Sequence, residues 1–484
     1  MTLARRKFLQ LSTGAALLAA PGRTASAQAV RPLADRLADY ADRISFADLD
    51  ASSVERIKSH LIDTIGCGIA ALDEPTVRIC RDVALASAGG PSTVIGAGKR
   101  STPELASFAN GAAFRYYDLN DSYASPTSGT VHPSDHFAPC LAVAEAERAD
   151  GRQFIAASAL AYEINCRLLD AFDAAARGWD LPVFSLPAVA LAAGKLMKLP
   201  PEKLAQAVNL AINDHIPMGQ TRTQTNSDWK GIADAEAGRN AVFAATLARS
   251  GMTGPAPIFE GRKGFFQLVS TAADVDVAAF GSRGTAFRIH QCGMKAYPAV
   301  VYSQTAIAAG IAAAKEVGDL DRVAAIDIAT TRRGYEQTGR DPEKWTPANR
   351  DTADHSLPYI TARAMFDGDI SNASYAPDKL RDTRILAFMR KITVREDPEF
   401  SKPKGNAPST RLTVTLTDGR QFVSQVDDLP GFPGQPMSRA DIERKFRGNI
   451  GDRWPKDRTD AVLKTLWTLE AIDDVSALLG KLAA

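Results

Sequence analysis

Residues 411–426 read RLTVTLTDGRQFVSQV. Apolar and polar residues alternate on both sides of Asp418-Gly419, the signature of a β-hairpin closed by a tight turn. This stretch stands out because most of the 484-residue chain reads otherwise. From about residue 32 to 285, Ala, Leu and Ile recur at three-and-four spacing. The segments are 50–72, 103–119, 135–148, 153–173, 186–197, 201–213 and 232–250, and they predict helices. Proline and acid mark first turns at Thr102-Pro103-Glu104 and Leu199-Pro200-Pro201-Glu202. Glycine marks stops at Gly89-Gly90-Pro91 and Gly251.

Working outward from the hairpin, β-like runs also occur at Phe287–Cys292, Ala324–Thr330 and Ile392–Arg395. After Pro430-Gly431-Phe432-Pro433-Gly434 the helical texture returns, at 438–447 and 459–472. The expected fold is therefore mainly α. A large all-helical domain, 28–285 and 429–484, is interrupted by a smaller inserted α+β lid domain, 286–428. A cleft between two such lobes is a common place for a ligand.

Composition narrows the function. Hydrophobic residues make up 45% and charged residues 23% of the chain, which excludes a disordered or collagen-like protein. No apolar run reaches the ~18 residues that a membrane span needs. With 57 basic against 56 acidic residues there is no global basic field to argue for nucleic acid.

The N-terminus, MTLARRKFLQLSTGAALLAAPGRTASAQA, reads as an export signal. Arg5-Arg6 precede a short apolar stretch, and Ala25-Ser26-Ala27 form a small-residue cleavage site, as in twin-arginine signal peptides. Residues 1–27 are set aside on this reading. The expected partner in transit is the twin-arginine export machinery, and the expected location is the periplasm or the exterior. Five cysteines remain, an odd number with no C-x-x-C pair, so no zinc ribbon or iron–sulfur cluster is indicated. Most are expected to be buried small apolar residues, with one disulfide possible after export.

The densest polar stretch is NGAAFRYYDLNDSYASPTSGTVHPSDHF, 110–137. Were 104–122 one helix, Arg115, Asp118 and Ser122 would share a face. His132-Pro133-Ser134-Asp135 would then open the next helix, at an N-terminus suited to anions. A second cluster is RTQTNSDWKG, 222–231. There Lys230 adjoins Trp229, whose ring is expected to desolvate it, and Arg222 lies just upstream. MKAYP supplies Lys295 and Tyr297, and TADHSLPY supplies His355 beside Asp354. Metal-protease, nucleophile-elbow, phosphate-loop and dinucleotide motifs are all lacking, and no credible metal triad appears.

Taken together, NGAAFRYYDLND, HPSD, SDWKG with AGRNAVFAATLARSGMTGP, FEGRKGF, KAYP, DPEKWTP, TADHSLPY and PMSRADIERKF resemble the MmgE/PrpD family, over about residues 33–475. The RYYDLND, WKG and TADHSLPY forms look most like its 2-methylcitrate dehydratase branch. The resemblance implies a two-domain, cofactor-independent homodimer acting on small polycarboxylates. It implies a lyase that dehydrates a hydroxy-tricarboxylate such as 2-methylcitrate or a citrate-like acid. An epimerase, isomerase or decarboxylase of a related acid, and an exported polycarboxylate-binding protein, are the alternatives. Carried over residue by residue, Asp118, His132 and Lys230 match active-site positions, and Ser122 stands where the decarboxylase branch has threonine. The expected catalytic set is Asp118, His132, Lys230 and Tyr297. The expected substrate-binding set is Arg115, Ser122, Arg222, Lys295 and His355. Where the decarboxylase branch carries two histidines, this chain has Gly178-Trp179-Asp180 and Val300. The dehydratase branch tends to have His after Asp180, and here Leu181 follows.

Overall fold

Helix starts follow the polar residues that precede them. Asp50 accepts from the Ser53 amide at 2.6 Å, Asp150 forms a capping box with Gln153, and Ser438 forms one with Asp441. Each satisfies donors that a first helical turn leaves unpaired. The computed structural model describes residues 31–125, 128–402 and 407–483. The expected export signal lies outside the described residues.

Among the described residues nine helices come first: α1 (Leu33–Arg43), α2 (Ala51–Ala71), α3 (Pro75–Leu85), α4 (Pro103–Arg115), α5 (Phe137–Ala146), α6 (Gly151–Ala171), α7 (Ser185–Leu196), α8 (Pro201–Asn213) and α9 (Ala233–Arg249). Between α3 and α4 runs a small hairpin, β1 (Ala88–Val94) and β2 (Lys99–Ser101). Gly89-Gly90-Pro91, read as a helix stop, lies within β1. A single turn, α10 (Phe265–Leu268), follows α9.

Three short strands form one sheet in the order β4-β3-β5: β3 (Asp121–Ala124), β4 (Thr130–Val131) and β5 (Gly293–Met294). The run Phe287–Cys292, expected as a strand, is instead mostly a 3₁₀ turn, Arg288–Gln291. Its backbone is satisfied without a strand partner, since Cys292 N–H donates to Ile289 within the turn and the buried Glu163 carboxylate, from α6, takes the Arg288 N–H at 2.6 Å.

The following segment holds α11 (Gln304–Val317), β6 (Val323–Thr330), α12 (Arg332–Thr338), α13 (Arg350–Ala353), α14 (Leu357–Asp367), α15 (Pro377–Leu380) and α16 (Thr383–Met389). It ends with β7 (Ile392–Glu396), β8 (Thr410–Leu416) and β9 (Gln421–Val426). The four strands form a sheet in the order β7-β6-β8-β9, parallel between β6 and β7 and antiparallel elsewhere. The β8–β9 hairpin turns at Asp418-Gly419, with Gly419 at φ 82°. Along β8 the buried positions alternate, Thr410, Leu412, Val414 and Leu416, as the sequence pattern requires. The chain closes with α17 (Arg439–Ile450), α18 (Lys456–Trp467) and α19 (Ser476–Leu482). The helix expected over 459–472 thus ends at Trp467, and Leu469–Ala471 forms a separate 3₁₀ turn.

The fold is mainly α. From Pro32 onward the chain packs as one compact unit, and within it the buried apolar side chains segregate. One cluster joins Leu33–Met294 to Ile442–Leu482, so the C-terminal helices complete the N-terminal core. A second joins α11, α14, α16 and the four-stranded sheet. All five cysteines are buried free thiols. Cys166 and Cys292 come closest, at 4.0 Å between sulfurs. No helix among the described residues is long and apolar enough to cross a membrane.

Candidate active site

The site begins where α4 ends. The expected continuous helix over 104–122 stops at Arg115, because Asp118 adopts a left-handed φ of 51° and the chain then enters β3. Aspartate tolerates that conformation better than most residues. The Arg350 guanidinium lies over the Tyr117 and Tyr375 rings, at 4.6 and 4.8 Å, and fixes the turn from the other side. Ser122 is therefore not on a face shared with Arg115. It sits on β3, paired with Gly293, and does not line the cavity described below. Arg115 and Asp118 still meet, with Nη1 donating to Oδ1 at 2.5 Å.

The small β4-β3-β5 sheet brings distant residues together. β3 follows Asp118, β4 leads into His132, and β5 delivers Lys295. Lys295 Nζ donates to the Asp118 carbonyl at 2.9 Å and also to its carboxylate. His132 Nδ1 donates to the Asp121 carbonyl at 2.6 Å, which leaves Nε2 facing Asp118 Oδ1 at 3.9 Å. From α17, Lys445 donates to the carbonyls of Leu119 and Lys295 at 3.0 and 2.8 Å, and pairs with buried Asp63 at 2.6 Å.

A second group arrives from the other core. His355 Nδ1 contacts Asp354 Oδ1 at 2.7 Å, and Lys230 Nζ donates to Asp354 Oδ2 at 2.6 Å. The Nε2 of His355 points at Asp118 Oδ2, 3.9 Å away. That oxygen is buried and has no hydrogen-bond partner. Lys230 is fully buried, but not by Trp229, whose side chain is half-exposed. Its surroundings are Asp354 and Asp351.

A third group is a chain of alternating charge. Arg115 lies 3.5 Å from Asp135 and 4.0 Å from Asp234, and Arg222 bridges Asp234 (3.5 Å) and Asp180 (2.8 Å).

Burial and neighbouring charges set the protonation states. Burial alone would raise the Asp118 carboxyl, but Arg115 and Lys295 reverse this and hold it well below the usual carboxylate range. Burial, then the charges of Arg115 and Lys295, hold His132 well below the usual imidazole range. Burial and Lys230 lower His355 to about 4. Both imidazoles are thus neutral near pH 7. A neutral ring whose Nδ1 carries the proton has a bare Nε2. Burial lowers Lys295 to about 8 against the pull of Asp118. Burial and the nearby Asp234 carboxylate push Asp135 well above the ordinary range.

These groups surround a small cavity of about 30 Å3. Its polar wall is Arg115, Asp118, His132, Arg222, Asp234 and His355, and its apolar wall is Val131, Leu181, Pro182, Val300 and Val301. Leu181 and Val300 both face the cavity. Of the residues singled out in the sequence, Arg115, Asp118, His132, Arg222 and His355 line it. Lys230 and Lys295 stand behind, on the carboxylates of Asp354 and Asp118. Tyr297 lies elsewhere, its side chain packed against the second core, where burial and Asp369 raise its hydroxyl. Sequence reasoning missed Asp135, Asp180, Asp234 and Tyr302. Asp135 carried a signal, as the last residue of the HPSD motif. Ligand atoms of Asp118, Asp354 and His355 lie within 4.8 Å of one another. The ammonium groups of Lys230 and Lys295 already sit on two of these carboxylates, so the donor set suits an internal ion pair better than a metal ion.

Residues 35–278 match the MmgE/PrpD N-terminal domain, and residues 297–469 match the MmgE/PrpD C-terminal domain. The chain belongs to the MmgE/PrpD family. Among its MmgE/PrpD relatives, the 2-methylcitrate dehydratase of Cupriavidus necator is 28% identical over 474 residues, covering 91% of this chain and 94% of that protein. The 2-methylcitrate dehydratase of Salmonella typhimurium is 27% identical, covering 90% and 94%. The cis-aconitate decarboxylase of Homo sapiens is 25% identical over 443 residues, covering 88% and 89%. The MmgE/PrpD match spans both segregated cores; the cavity takes Val131 from the first, and Val300, Val301 and Tyr302 from a smaller cluster completed by Ala407, Leu429 and Phe432.

Proposed function

We propose that the protein is a cofactor-independent lyase that removes water from a hydroxy-tricarboxylate of the 2-methylcitrate type. The observation that carries this reading is His132. Its Nδ1 is tied to the Asp121 carbonyl, its ring is held neutral, and its bare Nε2 faces a cavity walled by Arg115 and Arg222.

Removing a proton α to a carboxylate is hard because the resulting charge is poorly stabilised. Arginines placed against that carboxylate lower the barrier as the charge forms. In this reading Arg115 and Arg222 hold the substrate carboxylates, and His132 Nε2 takes the C–H proton. The unpartnered Asp118 Oδ2 accepts from the substrate hydroxyl. His132, protonated at Nε2 by that transfer, gives the proton to the hydroxyl as it leaves, so that water departs and the ring is neutral again, while His355, whose Nε2 carries no proton, helps to position the substrate. Lys295 and Lys230 keep Asp118 and Asp354 ionised and in place. The apolar wall around Leu181 and Val300 suits an alkyl substituent. It favours 2-methylcitrate over citrate by the roughly 10–200-fold that one extra carbon contributes in such a pocket.

A cavity this small holds about one water, whereas ligand pockets are usually about 300 Å3 or more. Opening must therefore precede binding. We assign it to the segment 286–428, acting as a lid over the helical part. Homodimerisation and twin-arginine export to the periplasm belong to the same proposal, and sizing and cell fractionation of the full-length protein test them.

One feature favours a second reading. His132 and His355 each present Nε2 at 3.9 Å from a different oxygen of Asp118, and two neutral bases flanking one carbon also suit epimerisation. A turnover panel separates the two. The mature protein is supplied with citrate, 2-methylcitrate, isocitrate, the aconitates and iminodisuccinate. Conjugated alkene is followed by ultraviolet absorbance, released carbon dioxide separately, and deuterium uptake by mass. Alkene from 2-methylcitrate supports dehydration. Deuterium uptake without alkene replaces it with epimerisation.

A further inference from the structure

Beside the small cavity lies a second one of about 620 Å3. The two share Thr130 and Tyr302 as lining residues. The hydroxyls of that pair are hydrogen-bonded at 3.1 Å, where the two chambers meet. Around the outer chamber stand Arg332, Arg333, Arg340 and Lys402 against Asp173 and Glu336, a net positive lining.

One ion pair in it differs from the rest. Arg332 bonds Glu336 within α12, and Arg340 bonds the adjacent Asp341. Arg333 instead reaches a residue 160 positions away, donating from Nη2 to both oxygens of Asp173 at 3.0–3.1 Å. Asp173 follows α6 and Arg333 belongs to α12, so this pair and Thr130–Tyr302 both tie the N-terminal helical part to the segment that follows β5. The side chains are 29% and 37% exposed. A pair this open to water is worth about 0–1 kcal/mol. The guanidinium fork takes any carboxylate of suitable approach. A carboxylate brought by a ligand can therefore exchange for that of Asp173 at little cost.

We propose that the outer chamber is an anion-receiving site for a polycarboxylate. Arg333 takes the first ligand carboxylate, and Asp173 is a built-in stand-in that the ligand displaces before it passes the Thr130–Tyr302 contact. This rests on the polycarboxylate reading given above. The exchange breaks one tie between those two parts as the ligand arrives, so arrival and opening are coupled.

Titration calorimetry with citrate as the probe, on the mature protein, tests this. Arg333→Gln should weaken binding about tenfold or more. Asp173→Asn removes the competitor and should tighten it about two- to fivefold. Arg384→Gln, a charge loss at 63% exposure outside the chamber, should stay within twofold. All three positions are solvent-accessible, and a melting temperature within a few degrees of wild type verifies folding. Unchanged binding in Arg333→Gln overturns the proposal, and so does equal weakening by Arg333→Gln and Arg384→Gln, which would mean bulk charge alone. If the wild-type protein binds neither citrate nor 2-methylcitrate, the polycarboxylate reading itself falls, a result distinct from either of these.

Discussion

The backbone carbonyl of Asp121 holds His132 by its Nδ1 at 2.6 Å, while the Asp121 carboxylate is itself clamped from three sides. His60 Nδ1 and Tyr162 Oη approach Oδ2 at 3.0 and 2.7 Å, and the Ser134 amide donates to Oδ1 at 3.0 Å. The catalytic imidazole in the proposed reaction is thus oriented by a peptide whose own side chain is anchored in the core. Its tautomer is set by geometry rather than by solvent.

That arrangement makes His132 testable without knowing the substrate. Nitrogen-15 spectra of labelled protein should show His132 protonated at Nδ1 and bare at Nε2 from pH 8 to below 6.5, where an ordinary imidazole has begun to charge. His132→Asn should lower turnover by about 10²–10⁴, the usual contribution of a general base, with an unchanged melting temperature. A normal titration near pH 6.5, or a loss under about tenfold, would remove His132 from its assigned role.

Lys295 sets the alkaline side of activity. Its ammonium, lowered to about 8 by burial, must be charged to keep Asp118 ionised and in place. The charged form is present below that value and lost above it, so kcat/KM should fall as pH rises through about 8. Lys295→Arg keeps the charge to higher pH and should move this limb upward by at least one pH unit. Lys295→Met should abolish turnover at every pH. A limb that stays near 8 in the arginine variant would assign it to another group.

Much of this was legible in the sequence, but unevenly. The hairpin at 411–426 and the helix starts are local: alternation, Asp-Gly, and capping residues three apart. The helix end near Arg115 was not, because Asp118 leaves the helix through a left-handed turn braced by Arg350, 232 positions later. The same holds for the site. His132 and Lys230 sit in recognisable motifs. Asp234 and Tyr302 sit in stretches that read as an ordinary helix and loop, and only the packing of distant segments turns them toward one cavity. Tyr297 shows the converse, a motif residue whose side chain serves the second core.

Stability should fall on mild acidification, for a reason opposite to the usual carboxylate one. Burial lowers both His136 and His355 to about 4. Between pH 6.5 and about 4 the unfolded chain binds protons that the folded chain excludes, so stability rises with pH across that window and is lost as pH falls through it. The melting temperature should therefore decline steadily from pH 6.5 to 4.5. His355→Gln, which removes one of the imidazoles held low by burial, His132 and His136 among them, should make the decline shallower. An equal slope in that variant would place the acid sensitivity elsewhere.

Lys445 offers the most direct link between the C-terminal helices and the site. Its ammonium pairs with buried Asp63 and caps the carbonyls of Leu119 and Lys295, one on each side of Asp118 and its lysine. Lys445→Met leaves Asp63 without its cation and should cost about 3–5 kcal/mol, the usual consequence of stripping one partner from a buried pair. Urea unfolding measures it. The double variant Lys445→Met/Asp63→Leu removes the orphaned charge and should recover most of that stability. It cannot restore the two carbonyl contacts, so turnover should remain depressed in the double variant while the fold recovers. Parallel recovery of both would show that Lys445 acts only through stability, and that the β3 and β5 backbones hold Asp118 and Lys295 without it.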